Sequence, residues 1–291
     1  MMKKKNGFIS ISVIYSFFIV FLLLLTLMMS TYVNNRYVYN IYKTDIKQQI
    51  SGKGDDIVDS YPTLIKKIQT EFEYGGINDT SYIYWIAQNG SEYRYQGTNP
   101  NNYINFNGKL WRIIGILNVP GTAQYLVKII SAESNPESRI NVSSFNSWTD
   151  THMSTMLTAV YNGFTSPYKE LVVDTNHRYQ GSFVVSKPVG LMHTDDYLYA
   201  APSSSCTQTL SAVQSCRPYN WLGGYNEWTM VKAASGTTNK VYSINADGSV
   251  TDTVPCTSAL AYRPVLYLKD NVKVSGGTGT STNPYNIIAG S

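Results

Sequence analysis

The chain has 291 residues, 43% apolar and 14% charged, with a formal net charge of +4. The surplus is local. No acidic residue precedes Asp45, and apart from Lys3, Lys4, Lys5 and Arg36 the chain carries 19 basic and 19 acidic side chains. A globular part with no net charge has no general basic face, which excludes nucleic acid as the expected partner.

The first element is the run Phe8 to Met29, FISISVIYSFFIVFLLLLTLMM, inside a stretch with no charge between Lys5 and Arg36. Twenty-two residues at about 1.5 Å each make a helix of about 33 Å, enough to cross a hydrocarbon core of about 30 Å. The run is longer than a signal-peptide h-region, and no small-residue cleavage site follows it. Lysines before the span place the N-terminus in the cytoplasm and the rest of the chain outside, by the positive-inside rule. The lipid bilayer is therefore an expected partner. Beyond the span, Tyr32, Val33, Tyr37, Val38, Ile41, Tyr42, Ile46 and Ile50 recur at helical spacing among polar residues. The pattern predicts one continuous transmembrane and stalk helix over 8–50, apolar all round in lipid and amphipathic above it.

Lys5-Asn6-Gly7-Phe8, followed by that helix, resembles the leader of type IV pilin-like proteins. The resemblance implies a prepilin-type N-terminus. Residues 1–7 would be a leader cut between Gly7 and Phe8, and the helix would serve as anchor and as packing core with other pilin-like subunits. The family usually has glutamate at the fifth mature position, where this chain has Ser12. An intramembrane carboxylate there can pair with a neighbouring N-terminal amine. Some minor pseudopilins also lack it, so the resemblance points to a minor, tip or initiator subunit.

Ser51-Gly52-Lys53-Gly54 reads as a break, and residues 51–78 as a linker with a short helix. Pro62 suits its first turn, Leu64, Ile65, Ile68 and Phe72 share one face, and Gly75-Gly76 ends it. From residue 79 to 291 the signals are strands and turns. Tyr82–Ile86 and Tyr93–Tyr95 around Asn89-Gly90 predict a hairpin, as do Tyr103–Phe106 and Leu110–Ile116 around Asn107-Gly108. Tyr125–Ile130 is the next strand. Residues 152–162 read as helix. Short strands follow at 183–185, 189–192, 240–244 and 263–268, with Asp247-Gly248 dividing two more. The fold class is α+β: the N-terminal helix, then one mostly antiparallel, β-rich exported domain, within the size range of a single core.

Several segments together resemble a domain of surface proteins from low-GC Gram-positive bacteria, whose biochemical role is uncharacterised. They are Asn101-Asn102-Tyr103, Leu110-Trp111-Arg112-Ile113-Ile114-Gly115-Ile116, Gly190-Leu191-Met192, Asn220-Trp221-Leu222, Glu227-Trp228-Thr229 and Tyr262-Arg263-Pro264-Val265. The layout is also similar to C-type-lectin-like folds, which implies Trp-rich loops over a small sheet and a late strand paired with an early one.

Chemistry-bearing residues are few. Cys206 and Cys216 are spaced to close a small disulfide loop outside the cell, and Cys256 is left either to pair with one of them or to stay buried. His152, His177 and His193 show no ligand spacing, and no metal site is expected. His193-Thr194-Asp195-Asp196 is the best acid/base cluster, but reads first as a helix cap. Trp148-Thr149-Asp150 lacks the partner motif of calcium-dependent lectins. No P-loop, dinucleotide fingerprint or nucleophile elbow occurs, so no cofactor is expected. The aromatic balance, 24 Tyr and 5 Trp against 9 Phe, favours recognition. Tyr219, Trp221, Tyr225 and Trp228 are the expected binding face, for a glycan or protein ligand. The expectation is a non-enzymatic, membrane-anchored surface protein for adhesion or display. Its rival is an envelope hydrolase using Asp195, Asp196 or Glu227, which would need two carboxylates about 5–10 Å apart in a cleft.

Overall fold

The computed structural model describes residues 60–73, 81–86 (backbone only), 92–141, 147–180, 183–203, 205–233 and 239–290. The chain divides into Met1–Ser60 and Tyr61–Ser291. The expected transmembrane and stalk helix, Gly7 and Phe8 lie outside the described residues. Among the described residues no helix is long and apolar enough to cross a membrane.

The folded unit starts earlier than residue 79. Helix α1 (Leu64–Glu73) belongs to its core: Leu64 and Ile68 are buried, and Phe72 meets Tyr93 edge-on at 5.3 Å. Pro62 lies outside the helix. Its carbonyl accepts from the Val274 amide at 3.0 Å, so the entering chain adds to the sheet before it turns helical. Glu71 fixes the other end by accepting the Tyr95 and Tyr285 hydroxyls. Burial pushes both phenols well above their ordinary range.

The strands are β1 (Ser81–Ile86), β2 (Glu92–Gly97), β3 (Tyr103–Phe106), β4 (Lys109–Asn118), β5 (Tyr125–Ser131) and β6 (Asn135–Ser138). Helices α2 (His152–Asn162) and α3 (Tyr168–Leu171) lead to the hairpin β7 (Thr175–Gln180) and β8 (Phe183–Lys187). Then come β9 (Gly190–Leu191), α4 (Thr194–Leu198), β10 (Glu227–Lys232), β11 (Val241–Ile244) and β12 (Val250–Thr251). The last are β13 (Leu260–Tyr262), β14 (Pro264–Leu268), β15 (Lys273–Gly276) and β16 (Tyr285–Ile288). The large sheet runs β15-β16-β3-β4-β5-β14-β9, with β2 also on β4 and β1 on β2. A second sheet runs β12-β11-β10-β13-β6. Most pairs are antiparallel, but β16 joins β3 and β10 joins β13 in parallel. The domain is β-rich with few helices, and its sheets are mixed.

Both expected hairpins form. The turn between β1 and β2 lies outside the described residues. Between β3 and β4, Asn107 and Gly108 take φ of 52° and 71°, as a two-residue primed turn demands.

Strand β4 organises the sheet. β3 pairs with its first half and β2 with its second, and its register against β5 shifts between Ile113 and Gly115. The shift is a bulge, and it changes which side chains face which side. Trp111, Ile113 and Ile116 enter one core with Leu64, Phe106, Trp148 and Trp228; Ile114 and Leu117 enter the other with Tyr197, Val213, Trp221 and Leu222. Gly115 is required here. A Cβ on it would lie 2.0 Å from the Tyr93 carbonyl oxygen on β2.

Candidate functional site

The loop Tyr219–Trp228 divides between core and surface. Trp228 is 1% exposed, and its indole donates to the Ser138 carbonyl at 2.8 Å. Trp221 is 6% exposed and donates to the Tyr95 carbonyl at 2.8 Å. Both tryptophans are core side chains with satisfied N–H groups, which corrects the expected four-residue binding face. Large aromatic area is most favourable when buried, and each indole found a backbone acceptor there. Tyr219 and Tyr225 remain exposed, at 44% and 36%.

The loop is held by polar bonds. The Asn220 side chain donates to the Tyr197 carbonyl at 2.7 Å and accepts from the Leu222 amide at 2.9 Å. Glu227 is fully buried and accepts a bidentate pair from Arg263, at 2.8 and 2.5 Å. Arg263 also donates to the Leu222 carbonyl, and its guanidinium lies 4.8 Å from the exposed Tyr225 ring centre.

Beside this pair stands Arg112, which β4 presents near its middle. Its guanidinium is sandwiched between Tyr103 and Trp221, 4.3 Å from each ring centre. Nε donates to Asn102 at 2.9 Å, and Nη2 to the Pro100 carbonyl at 3.3 Å. The residue is 7% exposed, and among the described residues no carboxylate forms an ion pair with it. Burial, with the charge of Arg263 nearby, pushes its pKa down to about 10. It is still a cation at neutral pH.

A second polar cluster lines a cleft of about 70 Å³ between β2, β5, β7 and α4. Such a volume holds a few water molecules and is well short of the roughly 300–1,000 Å³ that encloses a drug-sized ligand. Asp196 is its hub. It accepts from Lys128 Nζ at 2.5 Å, from Arg94 at 3.4 Å and from the His193 amide at 2.9 Å. Arg94 also pairs with Glu92 at 3.1 Å, and Glu92 accepts the Asn118 amide at 3.1 Å. Burial would raise the Asp196 carboxyl, but Lys128 and Arg94 outweigh it and hold the group down at about 2. The same residue closes a capping box on α4: the His193 side chain accepts the Asp195 amide, and Asp196 reaches back to the His193 amide. The sequence His193-Thr194-Asp195-Asp196 is thus a helix start, as first read, and its second carboxylate also neutralises two buried cations. Asp195 is more open and lies 3.4 Å from the His193 ring; burial pulls its carboxyl up, but His193 and the charge of Arg94 outweigh this and leave it lowered.

His177 stands behind the cleft, 3% exposed. Its Nε2 lies 3.1 Å from the Lys187 carbonyl, so that nitrogen carries the proton of a neutral ring. Burial and then the nearby Lys128 push its pKa down to about 3. Cys206 and Cys216 form a disulfide with Cα atoms 5.1 Å apart. Cys256 takes no part in it. It packs in the first core, where burial pushes its thiol up. Among the described residues no group of three His, Cys, Asp or Glu is placed to hold a metal ion.

Sequence reasoning missed Arg94, Arg112 and Lys128. For Arg112 and Lys128 a signal existed: a single cation inside an apolar strand, as in Leu126-Val127-Lys128-Ile129-Ile130, has to be buried with a partner. The partner was not readable, because Asp196 lies 68 residues from Lys128. The chain matches no known protein family, no curated protein and no solved structure.

Proposed function

We propose that this chain is a membrane-anchored extracellular surface protein. A prepilin-type N-terminal helix, like that of a minor pilin or pseudopilin, would display a domain that binds a ligand and performs no chemistry. The uncharged run Phe8–Met29 behind three lysines supports the anchor and its orientation. Two features support a C-type-lectin-like arrangement. The last strand, β16, lies beside the early strand β3, and the loop carrying Trp221 packs on Arg112 of the sheet.

The observation that carries binding over hydrolysis is the state of the buried carboxylates. Asp196 and Glu227 each accept from cations at 2.5 Å. A carboxylate so neutralised is a poor nucleophile and a poor general acid, because its charge is already committed, and at Asp196 the two cations hold the carboxyl down at about 2. The rival hydrolase would rest on Asp195 and His193 alone.

N-terminal sequencing of the membrane-associated protein tests the reading. A mature chain that begins at Phe8 is the expected result. A chain found in the soluble fraction, starting well after residue 30, would count against the anchor.

A further inference from the structure

The charge balance around β4 carries one step more. Two guanidinium groups, Arg112 and Arg263, lie near each other beside the Tyr219–Trp228 loop. Glu227 gives both of its oxygens to Arg263. Arg112 is left with hydrogen bonds on Nε and Nη2 and with two aromatic faces. Its Nη1 donates to no described residue, and it is not among the fully enclosed polar atoms that lack a partner. A buried cation without a counter-charge is costly. The Tyr103 and Trp221 faces offset part of that cost and hold the guanidinium rigid. A planar cation fixed in this way, with one nitrogen left without a described acceptor, is suited to a planar anion in line with it.

We infer that Arg112 is the binding site for the carboxylate of an acidic sugar. The site carries one uncompensated positive charge, which a monoanion balances and a dianion exceeds. Tyr225 supplies the second half of the recognition. Its ring lies against Arg263, and the residue is 36% exposed to solvent. An exposed aromatic face beside a cation suits the apolar face of a sugar ring. Asn102, Tyr103 and Trp221, which hold the Arg112 guanidinium, come from distant parts of the sequence. The assignment names a ligand class for the binding reading, and it is tested independently of the membrane anchor.

The experiment is a titration of the full chain in a neutral detergent, followed by tryptophan emission, since Trp221 stacks on the guanidinium. The probes are glucuronate, acetate, inorganic phosphate and glucose. Glucuronate is expected to bind several-fold more tightly than acetate or phosphate, with no response to glucose. Arg112→Gln is expected to weaken glucuronate by about tenfold or more, the scale of a charged hydrogen bond. Tyr225→Ala, at an exposed position, is expected to weaken glucuronate toward the acetate value and to leave acetate unchanged. No glucuronate binding by the wild-type chain would overturn the site, and equal affinity for acetate and glucuronate would overturn the sugar. Unchanged affinity in a cooperatively melting Arg112→Gln variant would also overturn it. Should that variant fail to melt cooperatively, Arg112→Lys is read in the same way: it keeps the charge but loses the fork, so its affinity must fall.

Discussion

Asp196 is the side chain on which the cleft depends. It is 2% exposed, yet ionised, because Lys128 and Arg94 each give it a charged donor and the His193 amide gives it a third. Replacing it by asparagine keeps the shape and leaves Lys128 buried without a counter-charge. The expected loss is about 3–5 kcal/mol in denaturant unfolding of the full chain. Asp195→Asn, one position away and more exposed, should cost less than about 1 kcal/mol. A second residue-scale expectation concerns acid. His177 has a folded pKa of about 3, below its ordinary value of 6.5, because burial and Lys128 disfavour its charged form. The unfolded chain therefore binds a proton that the folded chain refuses between those values. Stability is fully present above about pH 6.5 and falls as pH drops toward 3, with a slope of up to about 1.4 kcal/mol per pH unit. Asp196, held at about 2, adds its own loss only below its ordinary value of 3.8. His177→Gln keeps a donor for the Lys187 carbonyl and cannot titrate. Unfolding measured from pH 4 to 7 should lose most of its slope in that variant.

At the scale of elements, β4 shows what was readable in advance and what was not. The strand, its Asn107-Gly108 turn and its neighbour β3 follow from the apolar run and the turn residues. The bulge at Gly115 does not. A glycine inside a strand signals a close approach, but the approaching atom, the Tyr93 carbonyl, belongs to a strand that pairs across a gap of more than twenty residues. Gly115→Ala must push β2 off β4, and is expected to cost about 3 kcal/mol or more. Gly276→Ala, whose added carbon would find nothing nearer than 3.9 Å, should change stability by less than about 1 kcal/mol. Equal effects of the two would remove the bulge argument. The helix α1 teaches the same lesson. Its apolar stripe is visible in the sequence, but its place in the core is not, because Glu71 is held by two phenols, one of them on the last strand. The aromatic loop was misread for a related reason. Tyrosine and tryptophan suit a recognition surface and a core equally, and only the position of an acceptor such as the Ser138 carbonyl separates the two.

At the scale of the whole molecule, a domain starting at Tyr61 follows an N-terminal segment that carries three of the four net positive charges and the longest apolar run. Among its described residues the domain has a two-sided core, and its buried charges are paired internally apart from Arg112. That combination is consistent with the proposed display of a binding domain outside the membrane. The most direct test is limited proteolysis of intact cells producing the full chain, read with an antibody against the domain and with a cytoplasmic protein as the control for lysis. The account predicts that added protease removes the domain from whole cells, leaves the cytoplasmic control untouched, and releases a fragment that starts near the 51–60 segment. A domain that stays protected until the cells are broken would contradict it.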